Sequence, residues 1–409
     1  MTQSVDIAIV GGGMVGASLA AALLPLDLSV ALIEAVPHDA LAQPSFDERT
    51  TALANGSRRI LEAIGVWAQI EPSASPIRKI HVSDRGRFGC ARIDSAELGL
   101  AALGQVVANR ALGAALWERI GRGPPPRVYC PAKLEAATVG GRSVELRVST
   151  ADGAEERIEA GLVVAADGAH SVVRKAAGIG IETRDYGQNA IITTVLPQRY
   201  HDQVAYERFT ESGPLALLPL ADGRCTLVLT VRRSEVEAML AASDGEFLGE
   251  LQRRFGFRLG RFIKTGRRFA YPLALTQARA TSGARCAIVG NAAQSLHPVA
   301  GMGFNLGLRD VASLAELIAE RRAAGAGDLG DRRLLAVYDE WRRGDRRAIT
   351  LFTDGLVRLF ASPLPIVRRA RNLGLLAFDL LPPAKAALSA LSTGALGRVP
   401  KLARGVALR

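Results

Sequence analysis

The sequence predicts an α/β protein in which a parallel-sheet unit is interrupted by a mostly antiparallel sheet and followed by a helical C-terminal segment. Three observations support this fold class. Residues 5–34 follow a strand–turn–helix–strand pattern, residues 181–280 consist mainly of strand-like segments, and an apolar strand returns at residues 286–290. With 409 residues the chain is long enough for two domains. We therefore expect a first domain into which the sheet domain is inserted.

The predicted domain boundaries follow these changes in pattern. The first domain is expected to comprise residues 1–75, 98–180 and 281–350, and the sheet domain residues 76–97 and 181–280. Residues 351–409 are expected to form a basic, amphipathic helical segment. Hydrophobic periodicity predicts a β-hairpin at 77–94 and helices at 51–70, 98–121, 234–255 and 303–322.

The N-terminal strand runs into a glycine turn, Gly11-x-Gly13-x-x-Gly16, and the next strand ends at Glu34. In a Rossmann-like βαβ unit the first glycine allows the tight turn, the second lets the backbone approach a pyrophosphate, and the third lets helix and strand pack closely. The acid at the end of the second strand is placed to bind a ribose. This pattern predicts a bound dinucleotide; the alternative is a glycine-rich turn in an unrelated α/β unit.

The absence of charged side chains from residues 7–26 raises the alternative of a membrane span. The glycines, Pro25 and the acidic Asp6 argue against a span and against a secretory signal. The buried start of a βαβ unit explains the same apolarity. The four cysteines are scattered, with no CxxC pair and no histidine at metal-ligand spacing. We therefore expect reduced thiols, a cytoplasmic protein and no metal site.

The net charge of +11 is concentrated near the C-terminus, where residues 358–409 carry nine basic residues and one acid, Asp379. Nucleic acid is not the expected partner, because few aromatic residues are present to stack on bases. Basic residues alternate with apolar ones, which favours an anionic membrane surface or a protein partner. We therefore expect peripheral association with the inner face of the membrane or with a biosynthetic complex. The alternative is a solvated helical face.

Two further motifs follow predicted strands. The first is Asp167-Gly-Ala-His-Ser171-Val-Val-Arg174, whose Asp-Gly pair alone indicates only a tight turn. The second starts at Gly290-Asn291, where a polar side chain can reach a sugar or ribityl hydroxyl, and continues through residues 297–305. The stretch 301–305 opens a helix and offers free N–H groups to an anion or a carbonyl.

In this order and spacing the three motifs resemble the aromatic-ring flavoprotein monooxygenases of the para-hydroxybenzoate hydroxylase fold. The resemblance covers residues 5–345. Residues 46–53, 207–210 and 213–219 resemble the ubiquinone-biosynthesis hydroxylase branch of that family. The resemblance implies a Rossmann-like domain with tightly bound FAD, NAD(P)H as a transient co-substrate, and hydroxylation of a polyprenyl phenol through a flavin C4a hydroperoxide. It also implies that the inserted sheet covers the reacting ring.

The resemblance assigns roles to individual residues. Gly11, Gly13, Gly16 and Glu34 would hold the ADP half of FAD, and Asp167 would close over the groove for NAD(P)H and FAD. Other expected cofactor contacts are Arg49, Arg110, Asn291, Pro298, Gly301, Met302, Gly303 and Asn305. Arg49 as a surface arginine and Arg110 as a solvent-facing helical residue are the alternatives. His297 is a candidate for proton handling, although a His-Pro pair is more often a loop former.

Two positions depart from the family pattern, which often has Asp at 291 and Gln at 302. Asn291 can still bind a ribityl hydroxyl but brings no charge, which changes the field at the flavin. Met302 leaves only its backbone N–H for the flavin. Two other functions stay open on the same fold: a flavin-dependent isoprenoid reductase and a non-catalytic subunit of a quinone-biosynthesis complex. The strands at 213–220 and 224–232 are candidate walls for an apolar substrate, although core packing explains them equally well.

Overall fold

The computed structural model describes residues 2–37, 49–122, 125–325, 327–362, 364–393 and 397–409. The helices, numbered along the chain, are α1 (Met14–Leu23), α2 (Asn55–Ala63), α3 (Trp67–Ile70), α4 (Asn109–Gly121), α5 (Val172–Ala176), α6 (Val236–Ala241), α7 (Asp244–Phe255), α8 (Met302–Ala323), α9 (Arg332–Ala361), α10 (Pro365–Leu380) and α11 (Pro382–Thr393).

The strands form three sheets and are likewise numbered along the chain. They are β1 (Thr2–Val10), β2 (Val30–Ile33), β3 (Thr50–Ala54), β4 (Ser75–Ile77), β5 (Lys79–Asp84), β6 (Cys90–Asp94), β7 (Gly104–Ala108), β8 (Arg127–Tyr129), β9 (Ala132–Val139), β10 (Val144–Thr150), β11 (Glu155–Ala165), β12 (Ile181–Pro197), β13 (Val204–Thr210), β14 (Gly213–Pro219), β15 (Cys225–Arg232), β16 (Phe262–Thr265), β17 (Phe269–Ala278), β18 (Ser282–Gly283), β19 (Cys286–Ile288) and β20 (Gln294–Ser295).

The first sheet has a parallel centre, in which β1 pairs with β2 and β11, and β11 pairs with β19. Ile7 and Ile9 of β1 pack against helices α1 and α8, whereas Ala8 and Val10 pack with β10 and α5 on the opposite face. Both faces are therefore covered, which explains why the strand is continuously apolar without being a membrane span. Strand β19 joins from far along the chain, as the return of the buried-strand pattern predicts.

The second sheet has nine strands in the order β20-β17-β12-β15-β14-β13-β5-β6, with β16 beside β12. Its ladders are antiparallel except that between β13 and β5. Along β14 and β15, alternate residues such as Leu215, Leu217 and Leu227 pack against Phe247 of α7. The residues between them point to the opposite face, because side chains alternate along a strand. The predicted hairpin at 77–94 is confirmed as β5 and β6.

The third sheet corrects two predicted helices. The helix expected from residue 51 begins at Asn55, because residues 50–54 form β3, and the helix expected from residue 98 begins at Asn109, because β7 precedes it. Strand β3 pairs with β7, from Thr50 opposite Ala108 to Ala54 opposite Gly104. Because β3 and β7 are far apart in sequence, neither segment shows locally that it pairs with the other. The helical prediction for the residues that follow each strand therefore extends over the strand itself.

The helix expected at 234–255 is also wrong in one respect, since it is divided into α6 and α7. Ser243 lies between them in an extended conformation, and its hydroxyl accepts a hydrogen bond from the Glu246 N–H while the Glu246 carboxylate accepts one from the Ser243 N–H. This capping box starts a new helix. The helix predicted at 303–322 is confirmed as α8.

Part of the positive charge of the C-terminal segment is neutralised in the folded protein, because acidic residues from other parts of the chain form ion pairs with it. Arg371 pairs with Asp84, Lys385 with Glu97, and Arg398 with Glu316. The last thirteen residues return to the first domain, where Leu402 and Leu408 are buried among its apolar side chains.

Within the part of the chain that the structure describes, no single helix is long and apolar enough to cross a membrane. The bent pair 365–380 and 382–390 passes the same test of length and composition when taken together.

Candidate active site

A large cavity of about 1310 Å³ lies between the carboxyl ends of β1, β2 and β11 and one face of the second sheet. Its far wall is formed by α9, α10 and α11. Pockets for one small ligand usually measure roughly 300–1,000 Å³, so this cavity has room for more than one such molecule. One end is lined by glycines, main-chain groups and carboxylates, and the other by apolar side chains. We call these the polar end and the apolar end.

The glycine turn forms the floor of the polar end, where Gly11, Gly13 and Met14 line the cavity. Gly11 has φ of +100°, and a Cβ there would lie 2.4 Å from the carbonyl oxygen of Ala166. A Cβ on Gly16 would lie 1.8 Å from the carbonyl oxygen of Gly11. Both positions therefore require glycine. Helix α1 starts directly behind the turn with no acid in its first turn, so no acid of the helix itself occupies its first N–H groups.

Glu34 lies immediately after β2 and also lines the cavity. Its carboxylate accepts a hydrogen bond from the Gly12 N–H at 2.5 Å and another from the Val36 N–H at 2.9 Å. These two bonds fix the carboxylate beside the glycine turn. Because each carboxylate oxygen can accept a further hydrogen bond, Glu34 still has acceptor capacity for a hydroxyl group.

The Asp167 motif lies opposite the glycine turn. One carboxylate oxygen of Asp167 accepts a hydrogen bond from the Val172 N–H at 2.8 Å, whereas the other is buried with no partner in the described part of the chain. Burial raises the pKa of this carboxyl. Arg174 is buried and donates to the carbonyl oxygens of Ala169 and Ala292, each at 2.8 Å. The arginine of this motif thus holds it against the segment that follows Gly290.

Beneath Gly290 lies a buried group of charges that the sequence analysis missed. Asp310 accepts hydrogen bonds from the Gly290 N–H at 3.1 Å, from Gln294 Nε2 at 3.0 Å and from Arg342 Nε at 2.7 Å. Arg346 in turn donates to Gln294 and to the carbonyl oxygen of Ala293. Asp310 lies in α8, whereas Arg342 and Arg346 lie in α9, so only the tertiary structure brings this acid and these cations together.

The loop before α8 enters the cavity, and Pro298, Gly301, Met302 and Gly303 all line it. Asn305 does not line the cavity. Its side-chain amide donates to the carbonyl oxygens of Ala52 and Gly301 and accepts from the Ala54 N–H, with all three distances 2.8 Å. Asn305 therefore ties the loop to β3, and its amide is committed to the backbone.

Of the other three predicted cofactor contacts, two line the cavity and one does not. Arg49 and Asn291 line it, and the Arg49 guanidinium lies 4.8 Å from the centre of the Tyr271 ring. Arg110 is exposed at the start of α4 and does not line the cavity, whereas its neighbour Asn109 is buried and does. The rest of the motif around Arg49, residues 46–48, lies outside the described residues.

His297 is buried behind the loop and does not line the cavity. Its Nδ1 accepts a hydrogen bond from the Val299 N–H at 3.2 Å, and its ring packs edge-on against Tyr186 at 5.4 Å. Burial lowers its pKa to about 4, so the ring is neutral at physiological pH. These contacts favour the loop-forming alternative over proton transfer. In the described residues no three His, Cys, Asp or Glu side chains come together as a metal site.

The apolar end is built from the second sheet and the C-terminal helices. Ala216 and Leu218 of β14 and Thr226 and Val228 of β15 face the cavity, between the residues that pack on α7. One face of these strands therefore packs in the core, and the other lines the cavity. The opposite wall consists of apolar side chains from α9, α10 and α11, namely Phe352, Leu356, Phe360, Leu375, Phe378 and Leu388.

A carboxyl group that the sequence analysis did not select lies within this apolar end. Glu207 of β13 lines the cavity and interacts with the backbone N–H of Ala300. Burial raises the pKa of Glu207 to about 7. Glu207 lies in a predicted strand next to Arg208, and which face of the sheet its side chain enters depends on strand register.

A family model described as an FAD binding domain matches residues 4–353. The chain belongs to this FAD binding domain family. Its polar end fits FAD on three counts: a cradle that a Cβ would fill, a buried carboxylate oxygen without a partner at Asp167, and a helix N-terminus without an acid. As a member of this family, the protein binds FAD.

Curated members of the FAD binding domain family match over nearly the full length of the chain. The ubiquinone hydroxylase UbiL of Rhodospirillum rubrum is 41% identical over 406 residues, which cover 98% of this chain and 93% of the relative. The 3-demethoxyubiquinol 3-hydroxylase of Escherichia coli is 33% identical, covering 92% and 95%. The crystal structure of p-nitrophenol 4-monooxygenase PnpA from Pseudomonas putida has a TM-score of 0.79 at 19% identity, covering 95% and 97%. It shares the fold.

Proposed function

We propose that this protein is an FAD-dependent, NAD(P)H-consuming monooxygenase that hydroxylates the ring of a polyprenyl phenol in ubiquinone biosynthesis. The observation that carries the proposal is the continuous cavity, which joins a dinucleotide-type polar end to an apolar end. The 41% identity to a ubiquinone hydroxylase and the 33% identity to a demethoxyubiquinol hydroxylase support the same reaction. In such a reaction the cofactor carries out the oxidation chemistry. The protein binds the cofactor and the substrate, orients them and excludes water.

Successive residues along the polar end suit successive parts of the FAD molecule. The glycine turn and the N-terminus of α1 would hold the pyrophosphate, and Glu34 would accept hydrogen bonds from the adenosine ribose. Asp167 and Asn291 face the region between the turn and the loop, where ribityl hydroxyls would lie. The loop 298–303 would lie beside the flavin ring. When bound and reduced by NAD(P)H, FAD would activate O₂ for transfer of one oxygen atom to the ring.

The apolar end suits an aromatic ring with a hydrocarbon substituent. Strand residues such as Leu218 and Val228 and helix residues such as Leu375 and Phe378 would pack on the substrate. Burial of apolar surface contributes roughly 25 cal/mol per Å² removed from water, so a prenyl group would be stabilised here relative to water. The same packing would exclude water from the reacting ring.

The deciding experiment uses purified protein with a phenol that carries a short prenyl chain. We expect a flavin absorption spectrum, substrate-stimulated NAD(P)H oxidation and incorporation of one labelled oxygen atom from ¹⁸O₂ into the ring. A product that is saturated and unlabelled would support the isoprenoid reductase instead. Protein that binds FAD but oxidises no NAD(P)H with any ring substrate would support the non-catalytic subunit.

We further propose that the outer face of α10 and α11 docks on an anionic membrane surface, from which the substrate is taken up. Ile366 and Leu380 are 77% and 78% exposed, and Arg369 is exposed beside them. The inner face of the same helices lines the cavity through Leu375 and Phe378. Exposed apolar residues interleaved with basic ones are the pattern of an interfacial helix. The proposed location is therefore cytoplasmic, at the inner face of the membrane.

Vesicle sedimentation tests this docking. Ile366→Glu combined with Leu380→Glu should abolish binding to vesicles that contain anionic lipid, while FAD content stays unchanged. Phe257→Glu, which alters an apolar side chain that is 67% exposed outside these helices, is the matched control and should bind normally. Truncation is unsuitable, because the same helices form a cavity wall. Unchanged vesicle binding by the double variant would contradict the docking proposal.

A further inference from the structure

Glu207 is an isolated carboxyl group on an otherwise apolar wall. In the sheet it pairs with Ala216 of β14 on one side and Val82 of β5 on the other. All three side chains line the cavity, together with Ala205 and Phe209, which lie two residues away on the same face of β13. The strand register thus directs one carboxyl into a pocket whose neighbouring positions are alanine, valine and phenylalanine.

No cation compensates this carboxyl among the described residues. Strand β14 and the loop 298–303 carry no titratable side chain, and β5 contributes Asp84, which is already paired with Arg371. The other acidic and basic side chains along the cavity are Glu34, Arg49, Lys133, Asp167, His170 and Arg371. A carboxylate placed in such surroundings without a cation costs several kcal/mol. An apolar residue would serve the sheet better, so the carboxyl indicates a functional requirement.

The backbone partner of Glu207 is itself unusual. Ala300 has φ of 59° and ψ of 12°, in the left-handed region that a residue with a Cβ rarely adopts. This conformation costs of order 1–3 kcal/mol and persists only where the surroundings impose it. Here the N–H of Ala300 interacts with the Glu207 carboxyl. Ala300 directly precedes Gly301 and Met302, so the carboxyl faces the loop assigned above to the flavin ring.

We propose that Glu207 is the catalytic acid–base residue that binds the hydroxyl group of the phenolic substrate and accepts its proton during hydroxylation. This assignment rests on the proposed function. The ring that receives oxygen must lie between the loop 298–303 and the apolar wall, and Glu207 is the carboxyl between them. A carboxylate in contact with a phenol hydroxyl makes the ring more electron-rich as the proton moves.

The proton transfer balances over one turnover. The phenol O–H bond breaks, its electron pair stays on the oxygen, and the proton forms an O–H bond with the Glu207 carboxylate. After the new C–O bond has formed, the ring carbon loses its hydrogen as a proton to solvent, and the aromatic ring is restored. Glu207 then returns its proton to the phenolate oxygen. The oxygen atom and the reducing equivalents come from the O₂ and NAD(P)H of the proposed function, and the second oxygen atom of O₂ leaves as water.

The test compares Glu207→Gln with wild type, because glutamine keeps the size of glutamate and one accepting oxygen but cannot accept the proton. We expect unchanged FAD content and unchanged flavin reduction by NAD(P)H. Formation of labelled product should fall by about 10²- to 10⁴-fold, the usual contribution of general acid–base catalysis. A phenol made more acidic by ring fluorination should recover part of this loss, since it needs less help to ionise.

The pH profile gives a second readout that a structural role would not change. Burial raises the pKa of Glu207 to about 7, and the reaction requires the carboxylate. Product formation by wild type should therefore be low below pH 7 and rise as the pH passes through this value. In Glu207→Gln this rise should be absent. Glu207→Asp, which keeps the carboxyl, should retain the rise at a reduced rate.

Glu211→Gln is the matched control, because Glu211 is exposed four residues further along and the charge change is the same. It should behave as wild type. If wild type forms no labelled product, the proposed function fails. If wild type hydroxylates and Glu207→Gln keeps its rate and pH profile, the role of Glu207 is overturned. Should Glu207→Gln lose FAD, the wild-type profile decides, and a flat profile around pH 7 overturns the assignment.

Discussion

The two ends of the cavity are built in different ways. The polar end comes from three compact motifs, each within about twenty residues of sequence, and most of its contacts to a ligand would be made by the backbone. The apolar end is assembled from seven strands of the second and third sheets and from three helices, which extend from Ile77 to Ser389. A buried ion pair lies beside each end, Asp310–Arg342 at the polar end and Asp84–Arg371 at the apolar end. The difference separates cofactor binding from substrate binding, and single substitutions can test this separation.

The largest effect is expected from Asp310→Ala. This change removes the acceptor for the Gly290 N–H and leaves Arg342, which is 2% exposed, without its closest carboxylate. Removing one partner of a buried pair typically costs 3–5 kcal/mol. We expect a loss of about that size in the free energy of unfolding, measured with denaturant, and loss of FAD on purification. Asp222→Ala, which breaks a half-exposed pair with Arg224, should cost less than about 1 kcal/mol. Equal costs would contradict this ranking.

Gly16→Ala should rank second. The added Cβ would lie 1.8 Å from the carbonyl oxygen of Gly11, so the backbone of the turn must move. Overpacking of this kind costs about 3 kcal/mol, and we expect FAD content to fall at least tenfold in absorption spectra. In Gly245→Ala the new Cβ on α7 meets no atom within 4 Å, and stability should rise by up to about 1 kcal/mol. Normal FAD content in Gly16→Ala would show that the turn does not hold the cofactor.

Asp84→Ala should have an intermediate effect at the other end. Arg371 loses the carboxylate at 2.9 Å but still donates to the carbonyl oxygens of Leu359 and Phe360. A cost of about 2 kcal/mol is therefore expected, together with a loosened α10. The KM for the prenylated phenol should rise severalfold while FAD content stays at the wild-type level. Loss of FAD here would break the separation between the two ends.

Asn291→Asp should produce the smallest change. It adds a negative charge at a solvent-accessible cavity position, which disfavours the additional electrons of reduced flavin. We expect the two-electron potential to fall by about 30 mV at most, corresponding to ~1.4 kcal/mol. Ala151→Asp makes the same charge change in an exposed turn and should leave the potential unaltered. A rise in potential for Asn291→Asp would contradict the expected position of this side chain beside the cofactor.

The same contrast explains what could be predicted from the sequence. Gly11, Glu34 and Asp167 belong to local motifs whose residue types and spacing carry their geometry, and the structure brings all three to one cavity. The antiparallel strands were likewise recognised from local alternation. In these cases the information lies within a few residues, as hydrophobic period and turn chemistry require.

Features that depend on distant pairing were not predictable. The β3–β7 ladder, the bonds from Asn305 to Ala52 and Ala54, and the bond from Arg342 to Asp310 each join residues separated by dozens of positions. Glu207 illustrates the same point, since a one-residue shift in register would turn it away from the cavity. The inner face of α10 and α11 could not be told from a solvated face, because its partner surface lies on the second sheet.

The helix pair α10 and α11 is a partition one helix thick, with cavity on one side and exposed apolar side chains on the other. An α-helix with its side chains is roughly 10–12 Å across, a distance that a short run of prenyl units spans. We therefore expect selectivity to reside in the ring and its first units, while the remaining tail stays in the lipid. On this view the enzyme accepts phenols with long or short tails at similar kcat, and the organism's tail length is set elsewhere.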